Sequence, residues 1–379
     1  MVSGGAGGSG GSISGGAGGG SGTGGVSGTG GASGSPDGAR DLLPPETGNP
    51  DGRRDSLPPD AASPLGGSDG SAEETAPDPT GACYADGGLR YSGNPFVTRF
   101  VADPAAHVFN GRVYVYDTDD QSNDGTYWRS TVWHAFSSAN LVDWTDEGTV
   151  LTLQAFAYAS GKWAAWAPDV VSKDGKYYFF APIDRWQIGV AVSDSPTGPF
   201  VDAIGAPLIQ KDRDVNAGDE PIDPAVLIDD DGQAYLYFGT RVPKVVKLTA
   251  DLLHLDGPII DMSVSGNNYA EAPWMGKHNG TYYFSYSTGW PGQIAYGTSA
   301  SPLGPFTFQG IVLDYDGIST NHASVVEDFK GKSYLFYHNG KLPGGGDYRR
   351  SINVDELHYD ANGAITQVVQ TSQGAACVP

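Results

Sequence analysis

The chain has 379 residues with 22 Lys and Arg against 44 Asp and Glu, a formal net charge of −22. That charge points away from nucleic acid and anionic membrane surfaces as partners and suits a neutral substrate. No apolar run reaches the ~18 residues that a bilayer-spanning helix needs, and two cysteines without a CxxC pair do not make a zinc site.

The first 83 residues contain no aromatic side chain, and the 8 Trp, 20 Tyr and 14 Phe all lie from Tyr84 onward. Such a stretch buries too little apolar area to offset its chain entropy. Residues 1–35 read as a flexible Gly/Ser tether, and residues 36–80 as a stiffer Pro- and Asp-rich spacer with an imperfect repeat, PDGARDLLPP then PDGRRDSLPP. Residues 1–82 are therefore expected to be a disordered, low-complexity linker, and residues 83–379 one folded unit. Met1 opens directly into the Gly/Ser tract, so no charged and apolar leader is read there as a signal peptide.

Within the folded unit, residues 94–149 predict a first strand group, with HAFSSANLVDWTDEG as its outer part. A second group opens at Trp163 with AAWAPDVVSKDGKYYFFAPI, where a Lys-Asp-Gly turn joins an apolar strand to an aromatic one. A charged, glycine-containing loop at 210–220 then delivers the chain to IDPAVLIDDDGQAYLYFG, a strand, an acidic turn and an aromatic strand, in a group ending near Ile260. A fourth group holds EAPWMGKHNGTYYFSY and SPLGPF; a fifth holds HASVVEDFKGKSYLFY, a Gly-rich loop, Tyr348-Arg349-Arg350 and a last strand. No helix-period segment of useful length interrupts them, so the chain is all-β.

These groups are copies of one pattern. Asp103 lies eight residues before Gly111, and Trp166, Asp223, Glu271 and His322 each lie nine before Gly175, Gly232, Gly280 and Gly331. The equivalent positions recur at spacings of 63, 57, 48 and 51 residues. Repeats of roughly 40–50 residues built from short strands mean propeller blades. Five copies predict a five-bladed β-propeller. In such a ring the first and last segments often meet, so Cys83 and Cys377, at the two edges of the unit, are expected to form a disulfide that closes the circle, the plainer reading being two unrelated free thiols. That bond implies an oxidising compartment and hence a secreted or surface-tethered protein.

In a propeller, the residues that precede each blade's first strand converge on the axis. Asp103, Trp166, Asp223, Glu271 and His322 would therefore ring one pocket. Three acids in one pocket repel, so their pKa values separate, one staying protonated and another ionised. A carboxylic acid opposite a carboxylate, beside an aromatic face, is the equipment of glycoside hydrolysis. Each residue has a plainer reading. Asp103-Pro104 alone reads equally as a strand start, although Asp223-Pro224 at the equivalent position weakens that. Glu271 also reads as a satisfied buried carboxylate, Trp166 as core filler, and His322 as a hydrogen-bonded core histidine. Asp169 reads as a structural acceptor for backbone, and Asp229–Asp231 as a solvated turn without the ligand spacing of a calcium loop. His107, His134, His254 and His278 show no partner pattern.

The blocks ADPAAHVFNGRVYVY, WAPDVVSKDGKYYFF, IDPAVLIDDDGQAYLYFG, EAPWMGKHNGTYYFSYSTG and NHASVVEDFKGKSYLFYHNG, in this order, resemble glycoside hydrolase family 43 over about residues 94–360. The resemblance implies a five-bladed propeller that hydrolyses arabinose- and xylose-containing polysaccharides with inversion. It implies Asp103 as general base, Glu271 as general acid and Asp223 as the acid that tunes and orients Glu271. It implies Arg350 as the pocket arginine, with Arg349 as the alternative. It also implies that His322 sits beneath the site, near a structural calcium ion.

The expected function is thus an inverting hydrolase releasing α-L-arabinofuranose or β-D-xylose from a polysaccharide or oligosaccharide, working as a monomer. The alternatives are an endo-acting arabinanase on the same scaffold and a non-catalytic carbohydrate-binding propeller. In the inverting case the Asp103 and Glu271 carboxyls are expected roughly 6.5–9.5 Å apart, whereas about 5 Å would mean a retaining enzyme with Asp103 as nucleophile. The loops at 119–128, 185–187, 289–293 and 341–347 decide between exo and endo action. Their aromatics Tyr127, Trp128, Trp186 and Trp290 suggest a walled pocket and exo action, with Tyr127 and Trp290 joining Trp166 and Arg350 in binding substrate.

Overall fold

The computed structural model describes residues 83–379 apart from Asp124, Ala217, Asn267 and Asp316, so the expected linker at 1–82 lies outside the described residues. Five sheets follow one another along the chain as the blades of a propeller. Among the described residues there is no α-helix, only short 3-10 turns such as Leu153–Ala155 and Ala157–Ala159. Blade 1 is Val101–Phe109, Arg112–Asp119, Val132–Ser138 and Trp144–Thr152. Blade 2 is Asp169–Lys173, Lys176–Ile183 and Gln187–Ser193, with Val201–Asp202 and Ile209–Gln210 both on the outer edge of the third strand. Blade 3 is Ala225–Ile228, Ala234–Phe238, Lys244–Leu248 and Ile260–Asp261. Blade 4 is Glu271–His278, Thr281–Ser287, Ile294–Ser299 and Phe306–Leu313, with Val264–Ser265 added parallel at the rim. Blade 5 has three strands, Ala323–Phe329, Lys332–Asn339 and Ser351–Leu357.

The glycines that defined the repeat close the inner hairpins. Asn110-Gly111 and Asn279-Gly280 both place two successive residues at positive φ (51° and 76°, 49° and 80°), the two-residue turn whose twist matches antiparallel strands. A blade is covered on both faces by its neighbours, so its middle strands are buried along nearly their whole length rather than at alternate residues. Phe179 faces blade 1, 5.5 Å from Trp133, while the next residue, Phe180, packs with Leu236 of blade 3. Each fully buried phenylalanine of this kind is worth about 1.5–3 kcal/mol.

The ring closes differently from the expected blade boundary. Asn94 does not start blade 1. Its side-chain amide donates to Val354 O (3.1 Å) and its Oδ1 accepts the Val354 N–H (2.9 Å), so this segment lies along the last strand of blade 5. The N–H groups of Ser92, Gly93 and Asn94 donate to the carbonyls of Ala375, Gln373 and Ser372. A Cys83–Cys377 disulfide spanning 294 residues of sequence joins the two ends, as expected. Val101, Phe136, Phe336, Val354 and Val378 share one buried cluster across the seam.

Candidate active site

Asp103, Trp166, Asp223, Glu271, His322 and Arg350 all line one cavity of about 350 Å³, together with Trp128, Arg185, Glu220, Arg241 and Trp290. The repeat therefore brings its five equivalent positions to one place. The backbone shows how. Asp103 and Asp223 each hold a left-handed conformation (φ 53° and 54°) directly before a proline. In blade 4 the corresponding residue is Ala272 (φ 57°), before Pro273, so Glu271 stands one position ahead of the aspartates. Pairing slips at both bulges, between Ala102 and Ala105 and between Glu271 and Trp274. A bulge re-aims side chains at a strand end, and such backbone costs on the order of 1–3 kcal/mol per residue. The longer glutamate side chain offsets its earlier start.

Asp103 is clamped on every side. Arg350 Nη1 donates to its Oδ1 (2.8 Å), Thr118 Oγ1 donates to its Oδ2 (2.7 Å), and its own N–H donates to His338 Nδ1 (3.0 Å). Burial, the largest single influence, opposes ionisation, but the Arg350 guanidinium together with His338 and His322 outweighs it and holds the Asp103 carboxyl well below the usual carboxylate range. Arg350 is itself 3% exposed and is fixed by Asp120, which accepts from its Nε (2.7 Å), Nη2 (3.1 Å) and backbone N–H (3.0 Å). The arginine serving the pocket is thus Arg350. Arg349 points elsewhere, donating to Asn123 O.

The other two acids behave in the opposite way. Burial first, then the charges of Glu271 and Asp103, push Asp223 well above its ordinary value. Burial pushes Glu271 up to about 7, and Asp103 adds to this while a hydrogen bond from Trp290 opposes it. Asp223 and Glu271 titrate as a pair that keeps a proton near neutral pH. Asp223 Oδ2 accepts the Ala272 N–H (3.0 Å), a bond that favours charge on Asp223 and offsets only part of its upward shift.

Trp166 lines the cavity as an aromatic wall, its indole N–H donated to Trp128 O (2.9 Å). Tyr127 is not among the lining residues. The wall position belongs to Trp128, whose N–H is held by Asp347 O (2.9 Å), while Tyr127 packs behind it against Trp128 and Trp163 (both 5.4 Å). Trp186 also lies outside the lining, with Lys211 over its ring at 4.7 Å.

Asp169 accepts the N–H groups of Val170 (2.8 Å) and Val226 (2.7 Å), as its structural reading required. It also pairs with His107 Nε2 at 2.6 Å, a partner for which the spacing held no signal. The acidic turn is less solvated than expected, because Asp229 takes the Lys277 ammonium at 2.6 Å.

His322 lies 4.0 Å from Asp103 Oδ1, and burial lowers its pKa to about 4, leaving it neutral. Calcium takes six to eight oxygen ligands, and this surrounding does not supply them. The Asp103 oxygens already serve Arg350 and Thr118, and among the described residues no three His, Cys, Asp or Glu side chains form a metal-holding group. An ion there would have one nitrogen ligand, His322, and water for the rest.

Residues 92–365 match the family model described as Glycosyl hydrolases family 43. A xylosidase/arabinosidase 43A of Humicola insolens is 36% identical, the alignment covering 72% of this chain and 98% of that one. A xylosidase/arabinosidase of Bacteroides ovatus is 34% identical over 71% and 95%. Among solved structures, a family 43 β-xylosidase/α-arabinofuranosidase from a compost microbial metagenome, in complex with xylotriose in a calcium-free form, aligns with a TM-score of 0.66 at 36% identity, covering 74% of this chain and 98% of that one. With the family model reaching from the ring seam through all five blades, and such relatives covered nearly end to end, the chain belongs to glycoside hydrolase family 43 and is a glycoside hydrolase.

Proposed function

We propose that the enzyme releases single pentose units, α-L-arabinofuranose or β-D-xylose, from arabinoxylan-type glycans with inversion at the anomeric carbon. The observation carrying this reading is the opposed charge of the acids in one cavity. Asp103 is held ionised by Arg350, and the Asp223–Glu271 pair is held to a proton. In one step, Asp103 takes a proton from water as that water attacks the anomeric carbon. Glu271 gives its proton to the departing glycosidic oxygen. Asp223 is a positioning residue, tuning the Glu271 proton as the other member of the coupled pair and holding the Ala272 backbone. The aromatic walls Trp128, Trp166 and Trp290 support a closed end suited to a terminal sugar.

Calcium enters this proposal only as a hydrated ion beside His322, and no part of the step uses it. Export from the cell is supported by the Cys83–Cys377 disulfide. Glu271→Ala tests the reading. Loss of aryl pentoside hydrolysis with sugar binding retained supports it, and unchanged hydrolysis removes Glu271 from the mechanism. The same result separates an enzyme from a carbohydrate-binding propeller.

A further inference from the structure

The entrance of the cavity carries a cationic collar on an otherwise strongly acidic protein. Arg185 and Arg241 line the cavity from blades 2 and 3. Arg185 lies 5.7 Å over the Trp166 ring and 3.7 Å from Glu220, its one acidic partner at the rim. Arg241 sits at a left-handed φ of 63°, its N–H donated to Ala270 O (2.7 Å) and its Nη1 to Gly218 O (3.0 Å). No carboxylate of the described residues comes within ion-pair distance of it. Strained backbone at a cavity rim marks a position that something other than stability has set.

Two further cations stand one ring outside the lining. The Arg129 guanidinium lies 5.4 Å over Trp163, which is 38% exposed and 6.3 Å from Trp166. Lys211 lies 4.7 Å over Trp186, the residue after Arg185 and 41% exposed. Neither forms an ion pair with a described carboxylate. In a chain of net charge −22, two cations without an ion pair among the described residues lie over exposed indoles, and a third, Arg241, lines the cavity itself. A neutral pentose chain requires aromatic faces and hydroxyl partners, but no such excess of positive charge.

Resting on the pentose-releasing reading, we propose that this collar is a leaving-side subsite for a glycan bearing a carboxylate, a backbone substituted with uronic acid. The indoles of Trp163 and Trp186 offer faces to the sugar rings, and Arg129, Lys211 and Arg241 offer charge to the uronate. Such exposed pairings are individually weak and screened by salt, so the effect is a preference and not an absolute requirement.

The test is calorimetric binding to the full-length Glu271→Gln variant, which needs no turnover. The probes are a xylo-oligosaccharide with one glucuronic acid branch, the same oligosaccharide with that branch reduced to glucose, and the unbranched backbone. At low salt the acidic probe is expected to bind about five- to tenfold more tightly than the carboxyl-reduced one, and the gap is expected to close near 0.5 M salt. Arg129→Gln and Lys211→Gln should each narrow the gap by about two- to threefold. They should leave wild-type hydrolysis of a small aryl pentoside unchanged, which also shows that the variants fold. Equal affinity for acidic and reduced probes at low salt, no detectable binding of either, or a gap untouched by the variants overturns the proposal. Aryl pentoside hydrolysis by the wild type reports separately on the pentose-releasing reading.

Discussion

Asp223 Oδ2 accepts the backbone N–H of Ala272 at 3.0 Å, tying the third acid of the cavity to the residue that follows Glu271. Through this bond blade 3 fixes where blade 4 presents its glutamate. The two carboxyls are also coupled in titration, the charge of Glu271 helping to push Asp223 well above its ordinary value.

Asp223→Asn removes the second titrating member of the pair but leaves an oxygen for Ala272. Burial, the largest cause of the raised Glu271 value, remains. The basic limb of the kcat/KM profile, set in the wild type near the Glu271 value of about 7, should move to lower pH by about one unit, the size of a nearby charge's effect. A basic limb that stays in place would mean that Asp223 acts through geometry alone.

Glu271→Gln should cost about 10²- to 10⁴-fold in kcat on aryl pentosides with poor leaving groups. It should cost far less on a dinitrophenyl pentoside, whose leaving group needs no proton. Equal losses on both substrates would argue against a general acid at this position.

Stability should depend on pH in a way set by Glu271. Its carboxyl is raised from 4.5 to about 7 on folding, so the folded state holds a proton that the unfolded state releases between those values. Stability therefore falls as pH rises from about 4.5 to 7, by an amount on the order of 3 kcal/mol. Asp103 works the other way, its contribution being present at neutral pH and lost in acid as pH falls through its depressed value. Denaturant unfolding of wild type and Glu271→Gln at pH 5 and pH 8 checks this, the variant showing the smaller drop.

Arg350→Ala leaves two buried carboxylates, Asp103 and Asp120, without their shared cation. Removing one partner from a buried ion pair typically costs about 3–5 kcal/mol, so the variant should unfold at markedly lower denaturant concentration as well as lose activity. Arg349→Ala, whose guanidinium meets a backbone carbonyl, should lose about 1 kcal/mol or less.

Replacing both Cys83 and Cys377 by serine opens a loop of 294 residues of sequence separation and should cost about 2–4 kcal/mol. Activity at room temperature should persist, because the backbone bonds of 92–94 to 372–375 and the apolar cluster at the seam still close the ring.

The architecture was legible because a propeller repeats its turns. The hairpin glycines, held at positive φ, are a register mark that survives when side chains around them vary, and counting back from them reached Asp103, Asp223 and Glu271. Counting could not show that Glu271 stands one residue ahead of the left-handed position, because that offset lies in the backbone of Ala272. Loop residues carry no period. Tyr127 and Trp128 are adjacent, and which ring faces the cavity depends on the Trp128 bond to Asp347, more than two hundred residues away. Asp120, which fixes Arg350, leaves only an Asp-Asp pair at a strand end as its trace, and Arg241 leaves none.

The most direct test of the opposed-charge account is to follow by NMR the anomer first released from an aryl β-D-xyloside or aryl α-L-arabinofuranoside, whichever is cleaved. Water activated by Asp103 and a proton delivered by Glu271 require the first product to have inverted anomeric configuration, and that is the expected result. A first product of retained configuration would mean that Asp103 attacks carbon itself, and would contradict the account.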